Sequence, residues 1–188
     1  MNPLIKAASP IEVASLWRLN FLGGDDVGRV CMKWLEEDLD RGDHEIAALA
    51  GETGVAVSDM APAFERALAR VVGRPVGQDE AILRALRLHL AIALEGDLME
   101  GVQQVIHQFQ GLSERRLVQH PRRSKDRPDE VFAEQELGLE YIYGGFYAFD
   151  DVQHLSGEEG RVANADLHRE LRNAVRELEE HLTVALGG

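Results

Sequence analysis

The sequence predicts an all-α fold, a compact irregular bundle of about seven or eight helices in a single domain spanning residues 1–188. Three observations predict it. Apolar residues recur at spacings of three and four along most of the chain, which sets them on one side of a helix. Residues that start and stop helices separate these segments, with Ser, Asp or Pro ahead and Gly behind. No segment sustains the apolar–polar alternation of a half-buried strand. With 45% hydrophobic residues in a chain of this length, a sizeable core can be buried without disulfides or metals.

Ser9-Pro10-Ile11-Glu12 combines a capping serine, a proline at the first helical position and a glutamate at the third. A helix is expected from there to Leu22, ended by Gly23-Gly24. From Asp25 the residues Val27, Val30, Cys31, Trp34, Leu35 and Leu39 form an amphipathic stripe that Gly42 should stop. Asp43 caps a short helix through Ile46, Leu49 and Ala50 to Gly51. Ser58 caps another carrying Phe64, Ala67, Leu68 and Val71, with Pro62 in its first turn and Gly73 at its end. After the GRPVG turn, Ile82, Leu83, Leu86, Leu90, Ala93 and Leu94 make the helix of Gln78 to Glu95 apolar around more than half its circumference, as a central helix would be. Asp97 and Glu100 have capping-box spacing and open the next helix, with Leu98, Val102, Val105, Ile106 and Phe109 on one side.

Residues 114–128 hold six basic residues against two acidic ones, with Pro121 and Pro128 as breakers, and read as an exposed basic linker. The stretch from Asp129 to Gly160 is the opposite. It contains no Lys or Arg, yet all three tyrosines and three of the six phenylalanines. On a helical period Phe132, Leu139, Ile142, Tyr143, Phe146 and Phe149 fall on one side, in a helix expected to loosen at Gly144-Gly145 and give way to a loop bearing Asp150, Asp151 and His154. Leu167, Leu171, Ala174, Leu178, Leu182 and Ala185 then mark a long C-terminal helix. There is no internal repeat.

Composition narrows the function classes. The formal net charge of −13 repels polyanions and anionic lipid, and steers association toward a basic protein. A single cysteine, and an opening MNPLIKAASP without a charged n-region or an apolar h-region, predict a cytoplasmic protein. No apolar run nears the roughly 20 residues that span a bilayer.

Candidate chemistry is sparse. A dinuclear carboxylate centre in a bundle needs paired Glu-x-x-His motifs, and the nearest approaches are Gln104 with His107 and Asp151 with His154. Without HExxH or a Cys/His cluster, no metal and no cofactor is expected. Glu95, Asp97 and Glu100 are accounted for by a helix end and a capping box, His89 by a position at the core edge, and Cys31 by the buried stripe. Two alternatives to a binding protein carry some chemistry. Asp150, Asp151 and His154 would suit a small hydrolase or lyase in which a carboxylate orients an imidazole base. The run EIAALAGETGVAVSDMAPAFERAL has the order of a helix-turn-helix, but its second helix opens with Asp59, Met60, Ala61 and Pro62 rather than with side chains that read bases.

The leading expectation is an interaction module that takes a basic protein on an acidic aromatic surface built from Glu134, Glu140, Tyr141, Tyr147, Asp150 and Asp151. The competing reading puts Tyr141 and Tyr147 in the core and leaves the acids as a solvated face. The runs MKWLEEDLDRGDHEIAALAG, ALEGDLMEGVQQV and YGGFYAFDD together resemble a group of small uncharacterised bacterial helical proteins, over about Val27 to Asp151. The chain departs from that pattern in carrying Asp38 where the group tends to have Gly. The resemblance implies an all-helical fold, and its similarity in size and acidity to immunity or toxin-neutralising proteins implies a protein partner.

Overall fold

The computed structural model describes residues 2–109, 139–152 and 154–187, and among them there are nine helices and no strand. The helices are α1 (Pro3–Ala7), α2 (Pro10–Arg18), α3 (Gly24–Glu36), α4 (His44–Ala50), α5 (Val57–Val72), α6 (Gln78–Glu95), α7 (Leu98–Phe109), α8 (Leu139–Val152) and α9 (Gly157–Ala185). The fold is all-α, as the periodicity predicts. None of the described helices is long and apolar enough to cross a membrane.

Helix starts follow the capping chemistry. In α2 the Glu12 carboxylate accepts from the Ser9 backbone N–H at 2.8 Å and from its hydroxyl at 2.6 Å. Asp43 accepts from the Glu45 N–H at 2.9 Å ahead of α4, and Asp97 from the Glu100 N–H at 3.0 Å ahead of α7. α5 departs from expectation. It begins at Val57 behind an Ala56 cap, while the Ser58 hydroxyl donates to Asp59 at 3.3 Å. Pro62 therefore lies past the first turn, where its missing N–H forfeits one helical hydrogen bond.

Helix ends depart more. α2 stops at Arg18 rather than Leu22, and α3 at Glu36 rather than near Gly42. Each closes with a Schellman motif whose left-handed residue is not glycine: Asn20 (φ 59°) after α2 and Asp38 (φ 56°) after α3. The Phe21 N–H reaches the Leu16 carbonyl at 2.9 Å, and the Leu39 N–H reaches the Trp34 carbonyl at 2.9 Å.

The chain divides into two compact units, Met1–Leu88 and His89–Gly188, with the division inside α6. In the first unit α3 packs on α4 and α5, and α2 packs on α5. Trp34 and Phe64 are fully buried and stacked with centroids 5.8 Å apart, and Trp17 meets Phe64 edge-on at 4.9 Å. Gly28 lets α3 approach the chain beyond α4, since a Cβ there would sit 2.8 Å from the Glu52 carbonyl oxygen. Glu12 is buried, and its charge is met by Arg87 as well as by the Ser9 cap, the compensation a buried carboxylate requires.

In the second unit α8 packs along α9 and against α7. Gly101 of α7 lies against Ala93 of α6, so close that a Cβ would collide with it. Arg172 of α9 donates to the Leu94 carbonyl at 3.1 Å and caps the C-terminal end of α6. His89, expected at the core edge, is buried with its ring edge-on to Phe109 at 5.4 Å.

Candidate functional site

The acidic aromatic stretch supplies α8. Successive helical residues point about 100° apart, which sorts its side chains into two sides. Leu139 and Ile142 are buried and Tyr143, Gly145, Phe146 and Phe149 half-buried, forming the side toward the rest of the unit. Glu140, Gly144, Tyr147 and Asp151 recur at four, three and four residues along the opposite side, and all are exposed. Tyr141 and Asp150, also exposed, stand on its two flanks.

Tyr141 is 69% and Tyr147 52% exposed, so neither ring belongs to the core. Phe146, which does face inward, meets Tyr147 edge-on at 5.6 Å. Phe149, on the same inward side, meets His168 of α9 edge-on at 4.9 Å. From Leu139 to Gly160 the sequence holds no Lys or Arg. Glu134, expected on the same surface, lies outside the described residues, as do Phe132 and the 114–128 linker.

Asp150 and Asp151 are not on a loop. They occupy the last turn of α8, because the helix runs straight through Gly144-Gly145 instead of loosening there. Gly145 serves packing: a Cβ at that position would come within 3.3 Å of the Leu171 side chain of α9. His154 follows in the connecting turn and is exposed. Consecutive helical positions set Asp150 and Asp151 about 100° apart, and Asp150, Asp151 and His154 are all exposed. Two open clefts of about 610 and 660 Å³ lie in the first unit, one beside Trp17 and Val72, the other beside Leu39 and Arg70, and neither is lined by these residues. Among the described residues no three His, Cys, Asp or Glu side chains are grouped to hold a metal.

The helix-turn-helix segment forms α4 and α5, but the cations of α5 are engaged. Glu45 of α4 accepts from Arg66 at 2.5 Å and from Arg70 at 2.5 Å, and Asp43 also pairs with Arg70. Hydrogen bonds from Arg66 and then Arg70 hold the Glu45 carboxyl down at about 2. Both guanidiniums are thus paired with carboxylates at the start of α4. Cys31 is buried on its stripe, and burial, reinforced by the Asp43 carboxylate, pushes its thiol up to about 12, which keeps it from acting as a nucleophile at neutral pH.

Comparison of the chain with protein-family models, with curated proteins and with solved structures found no match.

Proposed function

We propose that the protein is a cytosolic interaction module that holds a basic protein partner against the solvent side of α8, through Glu140, Tyr141, Tyr147, Asp150 and Asp151. The observation that carries this reading is the exposure of Tyr141 and Tyr147 on a helix whose own sequence carries Glu140, Asp150 and Asp151 and no Lys or Arg. A solvent-facing tyrosine ring offers a large apolar body with a polar tip, the type of side chain that dominates interface energetics once a partner removes it from water. Surrounding carboxylates of one sign speed encounter with a positive surface and penalise acidic competitors. The acidity of the whole chain weighs in the same direction and against nucleic acid.

The test begins with mass spectrometry of whatever co-purifies with the protein from its native cell, at low and at high salt. Reversing the charges with Asp150→Lys and Asp151→Lys should then slow association with that partner and leave the helical circular dichroism spectrum intact. Failure to recover any partner, or an on-rate untouched by the reversal, would remove this reading.

A further inference from the structure

The ends of α2 and α5 border the open cleft of about 610 Å³ in the first unit, a size usual for small-molecule sites. Both helices turn away there through a left-handed residue, Asn20 (φ 59°) after α2 and Gly73 (φ 75°) after α5. Trp17, Leu68, Val72 and Val76 give the cleft its apolar lining. Trp17 is half-buried, with its ring edge-on to Phe64 at 4.9 Å. Three charged side chains, Arg18, Glu65 and Arg74, complete the walls. Arg74 is already engaged, since its guanidinium donates to both carboxylate oxygens of Glu80 at 2.8 and 2.5 Å. Arg18 and Glu65 differ from it. Both are exposed, and neither side chain forms a hydrogen bond or an ion pair among the described residues. They do not pair with each other, although Arg18 follows Trp17 and Glu65 follows Phe64, the two rings in contact. One cleft therefore carries an unpaired cation on its α2 wall and an unpaired anion on its α5 wall.

We propose that this cleft binds a small zwitterion with a large apolar side chain, a free amino acid of the phenylalanine or leucine type. Its carboxylate lies on Arg18, its ammonium on Glu65 and its side chain against Trp17 and Val72. A guanidinium presents a planar fork that matches a carboxylate. The two charges of an α-amino acid stand on one carbon, so a single molecule can meet both walls. A simple anion would gain Arg18 but be repelled by Glu65, and a simple cation would meet the reverse. The apolar body leaves water against the aromatic and aliphatic lining. The cleft belongs to the first unit and the inference does not depend on the reading of α8.

The experiment titrates the ¹⁵N-labelled full chain with L-phenylalanine, with 3-phenylpropanoate, which lacks the ammonium, and with L-phenylalaninamide, which lacks the carboxylate. Amide chemical shifts are followed at a pH below the α-amino range, so that each ligand keeps its charge. Phenylalanine should bind about fivefold more tightly than either analogue, the increment of a solvent-exposed ion pair. The shifting amides should include those of Trp17, Leu68, Val72 and Val76. Arg18→Gln should bring phenylalanine down to the affinity of phenylalaninamide, and Glu65→Gln down to that of phenylpropanoate, with circular dichroism unchanged in both. Equal affinities for the three ligands, indifference to both substitutions, shifts confined to residues outside the cleft, or no saturable shift at all would each overturn the proposal. Tighter binding of phenylpropanoate, lost in Arg18→Gln, would overturn it in favour of a simple carboxylate. The charge reversals at Asp150 and Asp151 probe the other unit, so either reading can fail while the other stands.

Discussion

Trp34 is the largest fully buried side chain of the first unit, stacked on Phe64 in the seam where α3 meets α5. Trp34→Ala should therefore lower stability by roughly 3–5 kcal/mol, read as a shift in the urea midpoint at unchanged slope. A near-neutral result would show that the seam does not carry the unit. Its place in the core was legible because Val27, Val30, Cys31 and Trp34 keep helical spacing, and all four are fully buried. The tyrosines of α8 were harder to assign. Period alone turns Tyr143 and Phe146 inward and leaves Tyr141 and Tyr147 outside, yet an aromatic ring at the margin of an apolar side can fold either way, and only the packing of α8 on α9 settles their exposure. Gly144 was legible only as a breaker, yet α8 continues through it.

Helix existence was readable from the sequence, while the ends of α2 and α3 were hidden by their own closing motif. In a Schellman turn the residue after the left-handed position folds back onto the helix, so Phe21 and Leu39 continue the apolar pattern after the helix has ended. Stops were expected at the next glycines, but Asn20 and Asp38 take the left-handed conformation instead, which Asn and Asp tolerate better than other side chains do. Asp38 thus stands at a helix-closing position where glycine is the usual residue. Asp38→Val should cost roughly 1–2 kcal/mol in chemical denaturation, whereas Asp38→Gly should be neutral or mildly stabilising. Equal effects of the two would contradict a backbone origin. The pairing of α4 with α5 has its own signature in pH. The Glu45 carboxyl is lowered from the ordinary 4.5 to about 2 by Arg66 and Arg70, so the unfolded chain takes up this proton first. The stabilisation is fully present above pH about 4.5 and is lost as pH falls through about 2. Urea midpoints followed down that range should drop less steeply for Glu45→Gln than for the wild type, and parallel curves would mean that the exposed pairs contribute nothing.

Across the whole chain 33 acidic residues face 20 basic ones, and among the described residues many of the arginines are tied to carboxylates on the same or a neighbouring helix. Arg66 and Arg70 are held by Glu45, Arg74 and Arg84 by Glu80, Arg87 by Glu12, Arg161 by Glu158 and Arg169 by Asp166. The sequence of α8 itself carries Glu140, Asp150 and Asp151 with no Lys or Arg between them. A field of that kind acts at long range on the approach of a partner, more than on the contacts finally made. Its reach is set by the Debye length, which shrinks from about 30 Å at 0.01 M to about 3 Å at 1 M salt. Association with the basic partner should therefore slow steeply across that range while dissociation changes little, as measured by stopped-flow or surface plasmon resonance. In the Asp150→Lys, Asp151→Lys variant the on-rate should be lower at every salt concentration and its dependence on salt shallower, because less attraction remains to be screened. An on-rate in the native protein that does not respond to salt would place the binding energy elsewhere than in the charge on α8. Identical salt slopes for the two proteins would leave the tyrosines as the only part of this surface that a partner could be using.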